Sequence, residues 1–191
     1  MRKRQNRGPE PPGVSAAREA PFDKPMNMSA DTLIRAFDKA RHLKGVRECL
    51  IELQDFERRI DPRMPPGADI VDAYISEMFD RCKHCGGRVL VADVDGEVAG
   101  YATIIPKVKS EQLEDGDLEY GLISDLVVTE KFRGLGLGQK LLEAAELYAR
   151  ACGVKHLRIG VLAGNQVAEN LYASAGFLPL YAELEKELTR S

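Results

Sequence analysis

Arg133-Gly134-Leu135-Gly136-Leu137-Gly138-Gln139 sets three glycines at alternate positions between two stretches of different periodicity. Before it, Ile123 to Val128 is apolar and rich in β-branched residues with no helical spacing, the pattern of a buried strand. After it, Leu137, Leu141, Ala145, Tyr148 and Cys152 recur 4, 4, 3 and 4 apart, which is one face of a helix. A strand that feeds a glycine turn at the mouth of a helix leaves several backbone N–H groups unpaired at the positive end of the helix dipole, so the chemistry on offer is anion binding. Two nucleotide devices of this kind fail on spacing. A P-loop needs Lys and then Ser or Thr after its last glycine, and Gly138 is followed by Gln139, Lys140 and Leu141. A dinucleotide fingerprint needs an acid near the end of the next strand to hold the ribose, and His156 to Leu162 carries none. The remaining alternative to an anion site is a turn that serves strand-to-helix packing alone.

The other reactive side chains suggest less. The four cysteines, Cys49, Cys82, Cys85 and Cys152, suit free thiols in a reducing compartment. Cys82-Lys83-His84-Cys85 is a lone C-x-x-C without a second ligand pair, so no metal is expected and the segment reads as the fraying end of a helix. The chain has 191 residues, 44% of them hydrophobic, enough for one ordinary core. A net charge of -3 argues against nucleic acid as a partner. No apolar run reaches membrane-span length and no signal-peptide core follows the basic start, so no membrane partner is expected and a cytoplasmic location is. The N-terminus differs from the rest: Arg2, Lys3, Arg4, Arg7, Arg18 and Lys24 stand against Glu10, Glu19 and Asp23, and prolines are frequent. Residues 1–27 therefore read as a flexible basic, Pro-rich tail, and residues 28–191 as a single domain.

Several elements must position the glycine turn. Thr32 to Phe37 is a short strand candidate, with Asp38 as the cap of a helix whose apolar stripe is Val46, Leu50, Leu53 and Phe56. Asp61-Pro62 and Pro65-Pro66-Gly67 break the chain before a second helix from about Asp69 to Cys82, with Ile70, Tyr74, Ile75, Met78 and Phe79 on its buried side. Asp95-Gly96 between two apolar runs marks a hairpin over Arg88 to Ile105. Lys107 to Glu119 is polar and acid-rich and reads as a loop. Val154 to Leu162 is a further strand, Gln166 to Ala175 a second amphipathic helix, and the alternation of Phe177 to Leu188 predicts a last strand near a sheet edge. The predicted order is β-α-α-β-β-β-α-β-α-β, an α/β class with a mixed sheet.

Arg133 to Gly138 as R-x-x-G-x-G resembles the acetyl-CoA pyrophosphate loop of the GNAT superfamily of N-acetyltransferases. Asn165 to Phe177, with Asn165, Ala168, Leu171, Tyr172, Gly176 and Phe177 in register, looks like that superfamily's second signature, N-x-x-A-x-x-L-Y-x-x-x-G-F. The two motifs come in the right order, and the resemblance spans roughly Arg88 to Leu188.

The resemblance implies an N-acetyltransferase fold and acetyl-CoA as co-substrate, with no metal. Its pyrophosphate would lie on the backbone amides of Arg133, Gly134, Leu135, Gly136, Leu137, Gly138 and Gln139, and its pantetheine arm along the strand edge at Leu126, Val127 and Val128. Asn165 would contact the pantetheine or cap the helix that follows it. Tyr172 matches the general acid that protonates the leaving thiolate, the alternative being a tyrosine packed at a helix end. The glutamate that serves many relatives as base is replaced by Ser124, and a later glutamate by Gly160. Asp125 is thus the first candidate for base or substrate anchor and Glu119 the second, a strand-end residue bonding local backbone being the other reading of Asp125. A base is needed because an alkyl ammonium of pKa about 10.4 is almost wholly protonated at neutral pH. The acids at 111–119 together with Asp125 suggest a cationic acceptor: a polyamine, an aminoglycoside-like amine or a lysine amine. A small-molecule or peptide amine is the expected partner, and a homodimer is compatible with the sequence. The competing functions are a protein N-terminal acetyltransferase and a non-catalytic acyl-CoA-binding regulator.

Overall fold

The structure, a computed structural model, describes residues 26–28, 32–110 and 115–188. One sheet holds six strands in chain order: β1 (Met26–Met28), β2 (Thr32–Ala36), β3 (Arg88–Val94), β4 (Glu97–Lys109), β5 (Glu119–Val128) and β6 (Leu157–Ile159). Neighbours are antiparallel except β5 and β6, which run parallel. Helices α1 (Lys39–Ile60) and α2 (Gly67–Cys85) cover one face, and α3 (Leu137–Ala151) with α4 (Gln166–Ser174) covers the other. The strands divide their side chains between the two layers by simple alternation. Val89 and Val91 of β3 and Tyr101 and Ile105 of β4 pack with Val46, Leu50, Val71 and Met78 of α1 and α2. Leu90, Ala92, Ala102 and Ile104 pack with Leu141, Leu142 and Ala145 of α3. Among the described residues no helix is long and apolar enough to cross a membrane.

β5 breaks the alternation once. Thr103 of β4 faces Asp125 while Ile104 faces Ile123, so Ser124 is an extra residue on β5, a β-bulge. Ile123 belongs to the α3 layer, and Asp125 and Val127 lie on the α1 and α2 side.

Most predicted elements are present, and three differ. Pairing begins at Met26, inside the stretch read as tail, where Met26 and Asn27 face Ile34 and Leu33 of β2. β6 keeps only Leu157–Ile159 of the predicted Val154 to Leu162. The expected last strand is not formed: Phe177 to Leu188 carries no strand or helix, and Leu178 and Leu184 are 86% and 92% exposed. Alternation supplies two faces but no hydrogen-bond partner. Three-residue β6 is the adjoining edge, and Pro179 brings no N–H to it. The polar loop shrinks to residues 110–118 because β4 runs on to Lys109; positions 111–114 lie outside the described residues. Cys82 and Cys85 occupy the last turn of α2, which Gly86 closes in the left-handed conformation.

At the start of α1, Asp38 accepts the Arg41 N–H (2.9 Å) and gives its own N–H to His42 Nδ1 (2.9 Å). Buried His42 holds Nε2 3.7 Å from Asp93 Oδ2, a carboxylate already shared with Arg35 and Arg41. Burial outweighs the Asp93 charge and lowers the His42 pKa. The unfolded chain therefore takes up this proton first. His42 contributes its full stabilisation above about pH 6.5 and loses it as pH falls through the lower folded value. Urea midpoints measured from about pH 7.5 to about pH 5.5 should fall in the parent protein, and less steeply in His42→Gln.

Candidate active site

β5 ends at Val128, a single 3-10 turn (Glu130–Phe132) follows, and α3 opens at Leu137. Gly134 and Gly136 have φ of 78° and 73°, so a side chain at either would be strained although space is open around them. Gly138 is close-packed instead: a Cβ there would lie 3.2 Å from Leu171 Cδ2 of α4, so this glycine is where the two sequence signatures meet. The N–H groups of Gly134, Leu135, Gly136, Leu137, Gly138 and Gln139 find no acceptor among the described residues, and the helical ladder starts with Lys140 N–H to the Gly136 carbonyl at 3.1 Å. Six donors converge on one helix N-terminus with no side-chain cap.

Arg133 departs from the expected role. Its amide donates to the Glu130 carbonyl (3.3 Å), and its guanidinium donates to the Val128 carbonyl (3.1 Å) and Glu52 Oε1 (3.0 Å) while lying over the Phe56 ring. These two guanidinium bonds brace the loop against β5 and α1.

β6 pairs with β5 only over Gly121 to Ile123, so beyond Ile123 that side of β5 has no strand neighbour among the described residues. Leu126 and Val128 turn toward α3 and α4 and Val127 toward α1 and α2. This open edge lies between the six donors and the polar groups described next.

Asp125 is 4% exposed and accepts Tyr74 Oη at 2.7 Å and Ser124 Oγ at 2.8 Å. The missing glutamate's position thus supplies a hydroxyl to the acid beside it. Asp125 also lines a cavity of ≈ 60 Å³ with Tyr74, Glu77, Met78, Arg81, Ile105 and Ser124. Glu119 is not part of this group: it is exposed at the opposite end of β5, six residues and roughly 20 Å away at strand rise. The acids of the 110–118 loop that are described lie at that same far end.

Tyr172 is buried in α4, 6.2 Å from the Phe177 ring, and its hydroxyl has no protein partner among the described residues. Burial, with the Glu57 charge, pushes its pKa up to about 12. It therefore stays protonated and acts as a donor. Asn165 caps α4, its Oδ1 accepting the Ala168 N–H at 3.2 Å. Gly160 follows the end of β6 with nothing near it.

Residues 50–177 match the Acetyltransferase (GNAT) family, from α1 to just past α4. The chain belongs to the GNAT family. It is 37% identical over 84 residues to an uncharacterized N-acetyltransferase of Lactobacillus delbrueckii subsp. lactis, covering 44% of this chain and 47% of that one. It is 33% identical over 104 residues to an N-alpha-acetyltransferase of Sulfurisphaera tokodaii, covering 51% and 60%. The chain thus spans about half the length of the curated relatives it matches. Its fold is similar to that of an aminoglycoside N-acetyltransferase in complex with CoA, with a TM-score of 0.62 and 16% identity over 84% of this chain and 97% of the other. GNAT membership implies a CoA ligand. The six free N–H groups fit its pyrophosphate, and the open edge of β5 suits its amide-bearing arm.

Three residues of this GNAT site escape a motif search. Tyr74 is legible in the sequence only as a core residue on an apolar stripe. Tyr101 is wholly buried with an unpartnered hydroxyl. Glu57 is half-buried on α1, and the charges of Glu57 and Asp125 both act on Tyr74 and Tyr101. The available signal was register: Glu57 falls four residues after Leu53, beside Phe56 at the end of the apolar stripe. Asn165→Ala should remove the α4 cap at a cost of about 1 kcal/mol, read as a lower denaturation midpoint.

Proposed function

We propose that this GNAT protein moves an acetyl group from acetyl-CoA to a primary amine by direct attack within a ternary complex. The observation that carries this reading is the combination of six unpaired amides after β5, an open edge on that strand, and Tyr172 packed in one cluster with Leu126 and Val128 of the same strand. The amides hold the pyrophosphate, the edge orients the acyl arm, and a strand N–H can meet the oxyanion that forms as the thioester carbonyl is attacked. Tyr172 donates a hydrogen bond to the departing sulfur, because a phenol of pKa about 12 remains protonated throughout the working range. The acceptor is cationic in this reading. Its support is the pairing of Glu57 with Asp125 at the site rather than the acid-rich loop at the far end of the strand.

A protein N-terminus is the second candidate acceptor, favoured by the 33% identity to a protein described as an N-alpha-acetyltransferase. Thioester consumption over a panel of alkyl amines, polyamines, an aminoglycoside and free-N-terminus peptides separates the two. Acetyl-CoA binding without turnover on any of them would instead favour a regulator. With the best acceptor, Tyr172→Phe should lower kcat about 10²-fold and leave the KM for acetyl-CoA within about twofold. Unchanged kcat in that variant would remove the tyrosine from the mechanism.

A further inference from the structure

We propose that Glu57 is the residue that receives the acceptor amine, binding it as the ammonium ion and taking its proton before attack. This rests on the acetyltransferase reading and names the substrate-side half of the same site.

The position of α1 brings the carboxylate there. Near Glu57, α1 touches both halves of the co-substrate site: Glu52 and Phe56 hold Arg133 of the glycine loop, and Ile60 Cγ2 lies 3.8 Å from where a Cβ of Gly164 would be, next to the cap of α4. Glu57 lies on the stripe of Leu53 and buried Gln54, so it is turned toward the sheet. The groups that meet its field come from four other elements: Tyr74 of α2, Tyr101 of β4, Asp125 of β5 and Tyr172 of α4. Arg81 of α2 acts on Tyr74 from the cavity side.

Two observations call for a ligand. The Glu57 carboxylate has neither ion pair nor hydrogen bond among the described residues, although it shares a partly desolvated site with a second acid. The Tyr101 hydroxyl is completely buried and unpartnered beside the same two acids, a group that costs free energy until a polar partner arrives. An alkyl ammonium supplies what the Glu57 carboxylate lacks, a positive charge and N–H donors. Asp125 is the weaker candidate for the base because each of its oxygens already accepts a hydroxyl and almost none of it is exposed. It orients Tyr74 and adds negative charge. Burial, then the Asp125 charge, raises the Glu57 pKa, a shift in the direction that suits a proton acceptor.

The step balances without a further reactant. The ammonium gives one proton to the Glu57 carboxylate, and the freed lone pair forms the C–N bond to the thioester carbon as the C=O pair moves onto oxygen. Collapse of that oxyanion breaks the C–S bond, and the sulfur takes up a proton through Tyr172, which regains one from the new amide nitrogen. Glu57 returns its proton to water. The products are the amide, CoA thiol and one released proton.

The test compares the parent, Glu57→Gln and Glu57→Asp for turnover of butylamine and spermidine, the pH dependence of kcat/KM, and acetyl-CoA affinity by calorimetry. Glu57→Gln should lower kcat/KM for both amines by about 10² to 10⁴ and abolish the low-pH limb that falls tenfold per pH unit as Glu57 protonates. Acetyl-CoA affinity and the thermal midpoint should hold, and Glu57→Asp should recover part of the rate. Turnover by Glu57→Gln equal to the parent, or a slower variant that keeps the low-pH limb, overturns the role of Glu57 and leaves the acetyltransferase reading standing. A parent protein that binds acetyl-CoA but acetylates neither these amines nor any of the wider panel overturns both.

Discussion

In a strand, successive side chains point to opposite faces, so the extra residue at Ser124 reverses the facing of everything beyond it in β5. Upstream, Ile123 packs with α3. Downstream, Asp125 and Val127 turn to α1 and α2 while Leu126 and Val128 line the α3 and α4 side. Without the bulge Asp125 would share the largely apolar face of Ile123, away from its Tyr74 partner, and its burial would be costly. The same place is where β5 loses β6 as a neighbour. One local irregularity thus presents an acid to one layer and an unpaired strand edge to the site.

Helix α1 makes that geometry rigid. Glu52 Oε1 accepts both the Glu130 N–H (2.6 Å) and the Arg133 guanidinium, so the turn entering the glycine loop is tied to the opposite layer of the fold. Gly138 against Leu171 ties the exit of the loop to α4. The six amide donors are therefore held from two sides without any side chain competing for them. Such preorganisation lets an anion bind with little further ordering of the protein.

The acids and tyrosines between these elements form a low-dielectric cluster in which position decides chemistry. Asp125 accepts a hydroxyl on each of its two oxygens. Glu57 is the acid without a partner. The three tyrosines are all driven upward in pKa by burial, so they stay protonated, and Tyr74 donates to Asp125.

Much of this was legible in the residues themselves. The periodicity change across Ile123 to Leu142, the Asp95-Gly96 hairpin, the Asp38 cap and the α4 signature each depend on contacts within a few positions, and sequence pattern encodes such contacts directly. Asn165 could be read as a cap for the same reason. Phe177 to Leu188 marks the limit, because its alternation states which side chains share a face and says nothing of whether a free edge exists to pair with. Arg133 is similar: its motif drew it toward the anion, and Glu52, 81 positions earlier, holds it on α1.

By itself the sequence determined the layers and the glycine turn at the mouth of α3, since local spacing and backbone stereochemistry suffice for each. Only the tertiary structure decided that Ser124 is a bulge, that Gly138 lies against Leu171 of α4, and that Glu57, Tyr74, Tyr101, Asp125 and Tyr172 belong together. Those five residues come from five different elements, and their common field exists only once helices and sheet have packed and excluded water from the space between them.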